Sequence, residues 1–122
     1  MVTSSEFIRG YTEMIILAIL FENDDYSYNI SNRISAESDG ILTITNPSLV
    51  ITLKKMCEEG KVSSYNVLNE RNVNRKFYSI TDYGKSFYLD NVDDYLSSLD
   101  KINQLMRRKS WEIKLLNLLM IH

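Results

Sequence analysis

In the stretch "TNPSLVITLKKMCEEGKV", Ser48, Ile51, Thr52 and Lys55 fall on one side of a helical pattern, Lys54 stands at its margin and Lys61 follows its end. Hydroxyls early in a helix, with cations a turn later, are a donor set suited to base edges and phosphate oxygens in a nucleic-acid groove. The same residues also suit an ordinary amphipathic helix with a solvated face, because exposed lysines are commonplace. Further along, "NERNVNRK" carries Arg71, Arg75 and Lys76 beside Asn69, Asn72 and Asn74, a composition that alone fits a solvated turn. Together the two stretches form one basic surface in a chain whose formal net charge is −2. Residues 1–40 sum to −5, residues 41–78 to +3 and residues 79–122 to zero, so the positive excess belongs to them.

Catalytic chemistry finds little to work with. The single histidine is His122, and the single cysteine, Cys57, falls on an apolar stripe, so neither a nucleophilic triad nor a Cys/His metal site can be assembled within one chain. The pairs Asp24 with Asp25 and Asp93 with Asp94 have no companion base, and solvation accounts for them. No glycine-rich phosphate loop is present. The expectation is a protein that is not an enzyme and takes no cofactor or metal. One cysteine fits a reduced, cytoplasmic setting, and "MIILAILF" is too short to span a bilayer, so no membrane partner is expected.

Several elements must position the basic residues. "SSEFIRGYTEMIILAILFEN" reads as a first helix over 5–22, with Ser4 or Ser5 as cap and Phe7, Ile8, Tyr11, Met14, Ile15, Ala18 and Phe21 at helical intervals. After an acidic turn, "YSYNISNRISAESDG" gives a shorter second helix ending at Gly40, and "GILTIT" an extended connector. The third helix runs over 47–59, capped by Asn46, started by Pro47 and ended at Gly60, with Leu49, Leu53 and Met56 inward. "KVSSYNVL" and "KFYSIT" then form a hairpin whose tip lies within 69–75. Thr81 caps a last helix, on which Tyr88, Val92, Tyr95, Leu99, Ile102 and Met106 alternate at spacings of four and three, a coiled-coil seam that needs a partner helix. The pattern breaks at "RRKS" and resumes in the apolar tail 111–122, where Trp111, Leu115, Leu118 and Leu119 share a face.

At 122 residues, with 44% hydrophobic and 25% charged, this is one small folded chain: mainly α with a small β-hairpin. Three helices, a hairpin and a final helix are the order of a winged helix-turn-helix, in which the third helix enters the major groove and the wing meets the backbone or minor groove. The division expected is a winged helix-turn-helix domain over 1–81 and a C-terminal helical dimerisation region over 82–122. Double-stranded DNA and a second copy of the chain are the partners expected. A winged helix that binds protein instead remains the alternative, favoured by net acidity and by the apolar Ile51 on the outer face.

The succession "GYTEMIILAIL", "DDYSYNISNRI", "NPSLVITLKKMCEEGKVSSY" and "NRKFYSITDYG" resembles the PadR family of bacterial transcription regulators, in its short form with one C-terminal dimerisation helix. The resemblance covers about residues 8–106. Arg75, Lys76, Phe77, Tyr78, Thr81 and Gly84 match the family pattern, and Tyr28 matches a tyrosine of its second helix. Val50 and Ile51 stand where members often have tyrosine and proline, and the wing is rich in asparagine rather than glycine. The resemblance implies a dimeric repressor on pseudo-palindromic promoter DNA, often responsive to a small aromatic effector. It also implies Tyr95 as a contact for a flat ligand, with Tyr88 and Trp111 as further candidates; plain interface core is the other reading of these aromatics.

Overall fold

The computed structural model describes the backbone of residues 5–121 and the side chains of residues 9–108 and 110–120. Ser4, the side chains of Ser5, Phe7 and Ile8, and His122, all named above, lie outside the described residues.

The elements follow in the order α1 (Ser5–Glu22), β1 (Asp25–Tyr26), α2 (Ser27–Glu37), α3 (Asn46–Glu58), β2 (Val62–Leu68), β3 (Asn74–Ile80) and α4 (Asp82–Ile121). The core is built on the second half of α1, where Met14, Ile16, Leu17, Ile19 and Leu20 are buried. The stripe expected there was phased differently: Ile15 and Ala18 are only half-buried and Phe21 is exposed. A run such as "MIILAILF" is apolar all round, so periodicity cannot choose its inner face. Ile30 and Ile34 of α2, Leu49, Leu53 and Met56 of α3, Val62 and Tyr78 complete the core.

α3 starts one residue earlier than its sequence signals indicate. Thr45, in extended conformation, is the cap: its hydroxyl accepts the Ser48 N–H at 3.3 Å, and Asn46 already lies in the helix. The other end closes as expected of a helix followed by glycine. Gly60 takes a φ of +77°, its N–H reaches the Cys57 carbonyl and the Lys61 N–H reaches the Met56 carbonyl, each at 3.0 Å.

The wing is a three-stranded antiparallel sheet in the order β1-β3-β2 rather than a lone hairpin. β2 and β3 pair from Val62 with Ile80 to Leu68 with Asn74, and β1 adds Asp25 opposite Tyr78 and Tyr26 opposite Phe77. At the tip, Asn69 accepts the N–H groups of Arg71 and Val73 on its side-chain oxygen, at 2.8 and 2.9 Å, and Asn72 takes a φ of 59°. Asparagine tolerates that left-handed conformation, so the turn needs no glycine.

α4 is one unbroken helix of 40 residues, about 60 Å long. The expected break at "RRKS" is absent, because arginine, lysine and serine interrupt an apolar pattern without terminating a helix. Thr81 caps it as expected, accepting the Gly84 N–H at 3.0 Å. Packing divides the chain between Asp90 and Asn91, inside this helix.

Candidate nucleic-acid interface

α3 is anchored by Leu49, Leu53 and Met56, all fully buried, which turns the opposite face outward. Ser48, Val50, Ile51 and Lys54 are exposed there, Ile51 at 71%, while Thr52 and Lys55 are half-buried. The hydroxyls are partly engaged already. Thr45 donates its hydroxyl to Ser48 Oγ at 2.9 Å, and Thr52 donates to the Ser48 carbonyl at 3.1 Å. Thr52 therefore presents a methyl group and acceptor lone pairs rather than a donor.

Lys61 departs from the basic surface expected to include it. It is buried, at 7% exposure, with its ammonium 3.4 Å from Glu59 Oε1, 3.9 Å from Glu13 Oε2 and 3.9 Å from the centroid of the Phe87 ring. A lysine held this way is enclosed by its own domain and cannot reach a DNA backbone. Nothing local in "EEGKVSS" announces this, since Glu13 and Phe87 lie far away in the sequence.

Arg71 sits exposed at the wing tip. Arg75 and Lys76, also exposed, project from opposite faces of β3, as neighbours on a strand must. The Arg75 guanidinium lies 4.2 Å from the centroid of the Tyr26 ring, a cation–π contact that ties the wing to β1. Lys76 shares the face of Tyr78 and lies near enough to α3 for its charge to pull on the Cys57 thiol. Burial pushes that thiol up, and Lys76 only partly offsets the rise. Lys76 thus lies on the side of the wing nearer α3, with Arg75 on the opposite face.

Sequence reasoning missed the residues that hold the wing. Tyr65 on β2 donates its hydroxyl to Asp24 Oδ2 at 2.7 Å, and that carboxylate raises the phenol above its ordinary pKa. Asp25 is buried rather than merely solvated: it accepts the Tyr26 N–H at 2.8 Å and the Asn29 side chain at 2.6 Å, fastening the start of α2. Phe77 stacks on Tyr65 at 5.9 Å and meets Tyr26 edge-on at 5.4 Å. Asp24 and Tyr65 are 41 positions apart, beyond the reach of periodicity or local spacing.

On α4, Tyr88 packs its ring 5.7 Å from Phe21 of α1. Val92, Tyr95 and Ile102 are half-buried, while Leu99 and Met106 are exposed at 43% and 68%. Trp111 is 73% exposed. It stands 16 positions beyond Tyr95 on a continuous helix, about 24 Å, so one helix cannot bring both to a single small ligand. Among the described residues, no helix is long and apolar enough to cross a membrane.

Comparison with known proteins gives concordant results. The family model described as "Transcriptional regulator PadR-like family" matches residues 16–89. A transcriptional regulator of Clostridium thermocellum is 32% identical, with a TM-score of 0.72 over 84% of this chain and 97% of that one. A Lysinibacillus sphaericus protein described as "Uncharacterized protein X" is 28% identical over 84% of this chain and 94% of its own length. The structure of PadR from Bacillus subtilis in complex with operator DNA shares the fold at 22% identity and a TM-score of 0.61, over 66% of this chain and 46% of that one.

Proposed function

Since the chain belongs to the PadR-like family of transcriptional regulators and not to a family of enzymes, we propose that it is a cytoplasmic, dimeric repressor that reads a pseudo-palindromic promoter site. The observation that carries this reading is the outward face of α3, held rigidly from behind by three fully buried side chains and presenting Ser48, Ile51, Thr52, Lys54 and Lys55. The Bacillus subtilis protein that shares the fold was crystallised with operator DNA, which supports a DNA-binding role for this fold here. Lys54 and Lys55 supply charge along α3, Arg71 and Lys76 extend it onto the wing, and Arg75 keeps the wing in place. Ile51 suits a thymine methyl group.

Two copies are joined through Val92, Tyr95, Leu99, Ile102 and Met106 within the helical region 82–122, with Tyr88 shared between the seam and its own domain. Such a dimer sets two α3 helices about one DNA turn apart, roughly 34 Å. In this reading Tyr95 contacts a flat effector, and loss of effector binding in Tyr95→Ala, with the dimer intact, is the expected result; unaltered binding removes Tyr95 from that role. Footprinting on DNA upstream of the gene tests the main reading. Two protected half-sites, centred about one turn apart, are expected. A protein that protects no segment against scrambled competitor, yet retains a partner through Ile51, would instead be a protein-binding winged helix.

A further inference from the structure

Lys61 uses every polar group it has, on three different elements. Its ammonium meets Glu13 of α1, Glu59 at the end of α3 and the face of Phe87 on α4. Its carbonyl accepts the Thr81 N–H at 3.1 Å and lies so close to Gly84 that a Cβ there would run into it. Its own N–H closes the carboxyl end of α3 on the Met56 carbonyl. Beside it, Thr81 donates its hydroxyl to the Gly60 carbonyl at 2.6 Å, doubling the link between the end of α3 and the start of α4.

A buried cation is a costly way to fill space, since an apolar side chain of similar volume does so without desolvation. What the cation adds is direction. Glu13 depends on it: the second Glu13 oxygen is buried and has no hydrogen-bond partner among the described residues, so an uncharged residue at 61 would strand the carboxylate. We infer that Lys61 is a positioning residue, a lock that joins the first turns of α4, as far as Phe87, to the carboxyl end of α3. In a dimer joined through α4, slack at this joint becomes slack in the spacing of the two α3 helices. That consequence rests on the operator-binding reading, whereas the lock itself does not.

The test reads the joint directly. Spin labels at Ile51→Cys on α3 and Leu89→Cys on α4, in a Cys57→Ala background and diluted with unlabelled protein, report the distance within one chain. A single narrow distance is expected for the parent and for Lys61→Arg. The paired variant Glu13→Gln/Lys61→Met, which leaves no stranded charge, is expected to lose that narrow distance while keeping its helical circular dichroism. An unchanged narrow distance in the paired variant overturns the inference. Should that variant fail to fold, Phe87→Leu, which removes only the ring beneath the ammonium, is read in the same way. On DNA, the paired variant is expected to lose about tenfold in affinity for the full operator, as the aligned fraction falls. It should keep its affinity for an isolated half-site and tolerate spacers altered by a base pair. Equal losses on half-site and operator would return Lys61 to a groove or backbone role and sink the lock. Failure of the parent to bind any DNA would strike the regulator reading and leave the distance result standing.

Discussion

Thr52 and Lys55 stand three positions apart on α3, yet they bring unequal capacities to a partner. Thr52 has spent its hydroxyl proton on the Ser48 carbonyl, so Thr52→Val should change operator affinity little. Lys55→Ala should weaken it by about tenfold, a loss of about 1.4 kcal/mol. Arg71, at the exposed tip, is a backbone contact in this scheme. Its replacement by alanine should lower affinity on all sequences alike and reduce the salt slope by about one. Anisotropy titrations of the three variants decide the matter, and wild-type behaviour in both Lys55→Ala and Arg71→Ala would discredit the assigned surface. Cys57 offers a separate check on packing behind α3. Burial raises its pKa, which favours the neutral thiol, so alkylation at neutral pH should be slower in the folded protein than in denaturant. The folded rate should climb with pH through a midpoint above that of the unfolded chain, because the thiolate is the reacting form.

At the scale of elements, the junction from β3 into α4 concentrates the constraints. Gly84 sits where a methyl group would meet the Lys61 carbonyl and Ile80, so Gly84→Ala should lower stability by about 1–3 kcal/mol, as overpacking does. Thr81→Ala, which removes a cap, should cost about 1 kcal/mol. Thermal or denaturant melts measure both, and a Gly84→Ala protein as stable as its parent would show that the close approach can relax. The winged arrangement was legible in the sequence because its signals are local: Gly60 after α3, Thr81 before α4, and Leu49, Leu53 and Met56 at helical spacing. Three features were not. β1 is two residues long and pairs with a strand some fifty positions away, too short for any alternation to register. α4 continues through "RRKS" because a break in apolar pattern is not a break in backbone propensity. Lys61 looked like a surface lysine because its partners Glu13 and Phe87 come from other elements. The part of the candidate site on α3 was legible from one helix, whereas the anchoring of the wing by Asp24, Tyr65, Tyr26 and Arg75 arises only once distant segments meet.

For the whole molecule, the length of α4 and the distribution of charge set what remains to be measured. The spacing of four and three that begins at Tyr88 continues, past Lys109, through Ile113, Leu116 and Met120 on the same helix, and all three are exposed in the single chain. Truncation after Met106 should therefore weaken the dimer, raising its dissociation constant at least about tenfold if even one such side chain is buried at 1.5–3 kcal/mol. Sedimentation equilibrium measures this, and an unaltered constant would mean that the seam ends at Met106. The chain as a whole is acidic, so net charge does not draw it to DNA, and the proposed reading assigns that attraction to residues of α3 and the wing. Fluorescence anisotropy of the purified protein on DNA from upstream of its gene, across a salt series with scrambled competitor, tests this most directly. Tight, selective binding whose logarithm falls with salt by about 0.9 for each phosphate contacted is the expected result. Binding that is absent at low salt, or indifferent to sequence and salt, would contradict the repressor account.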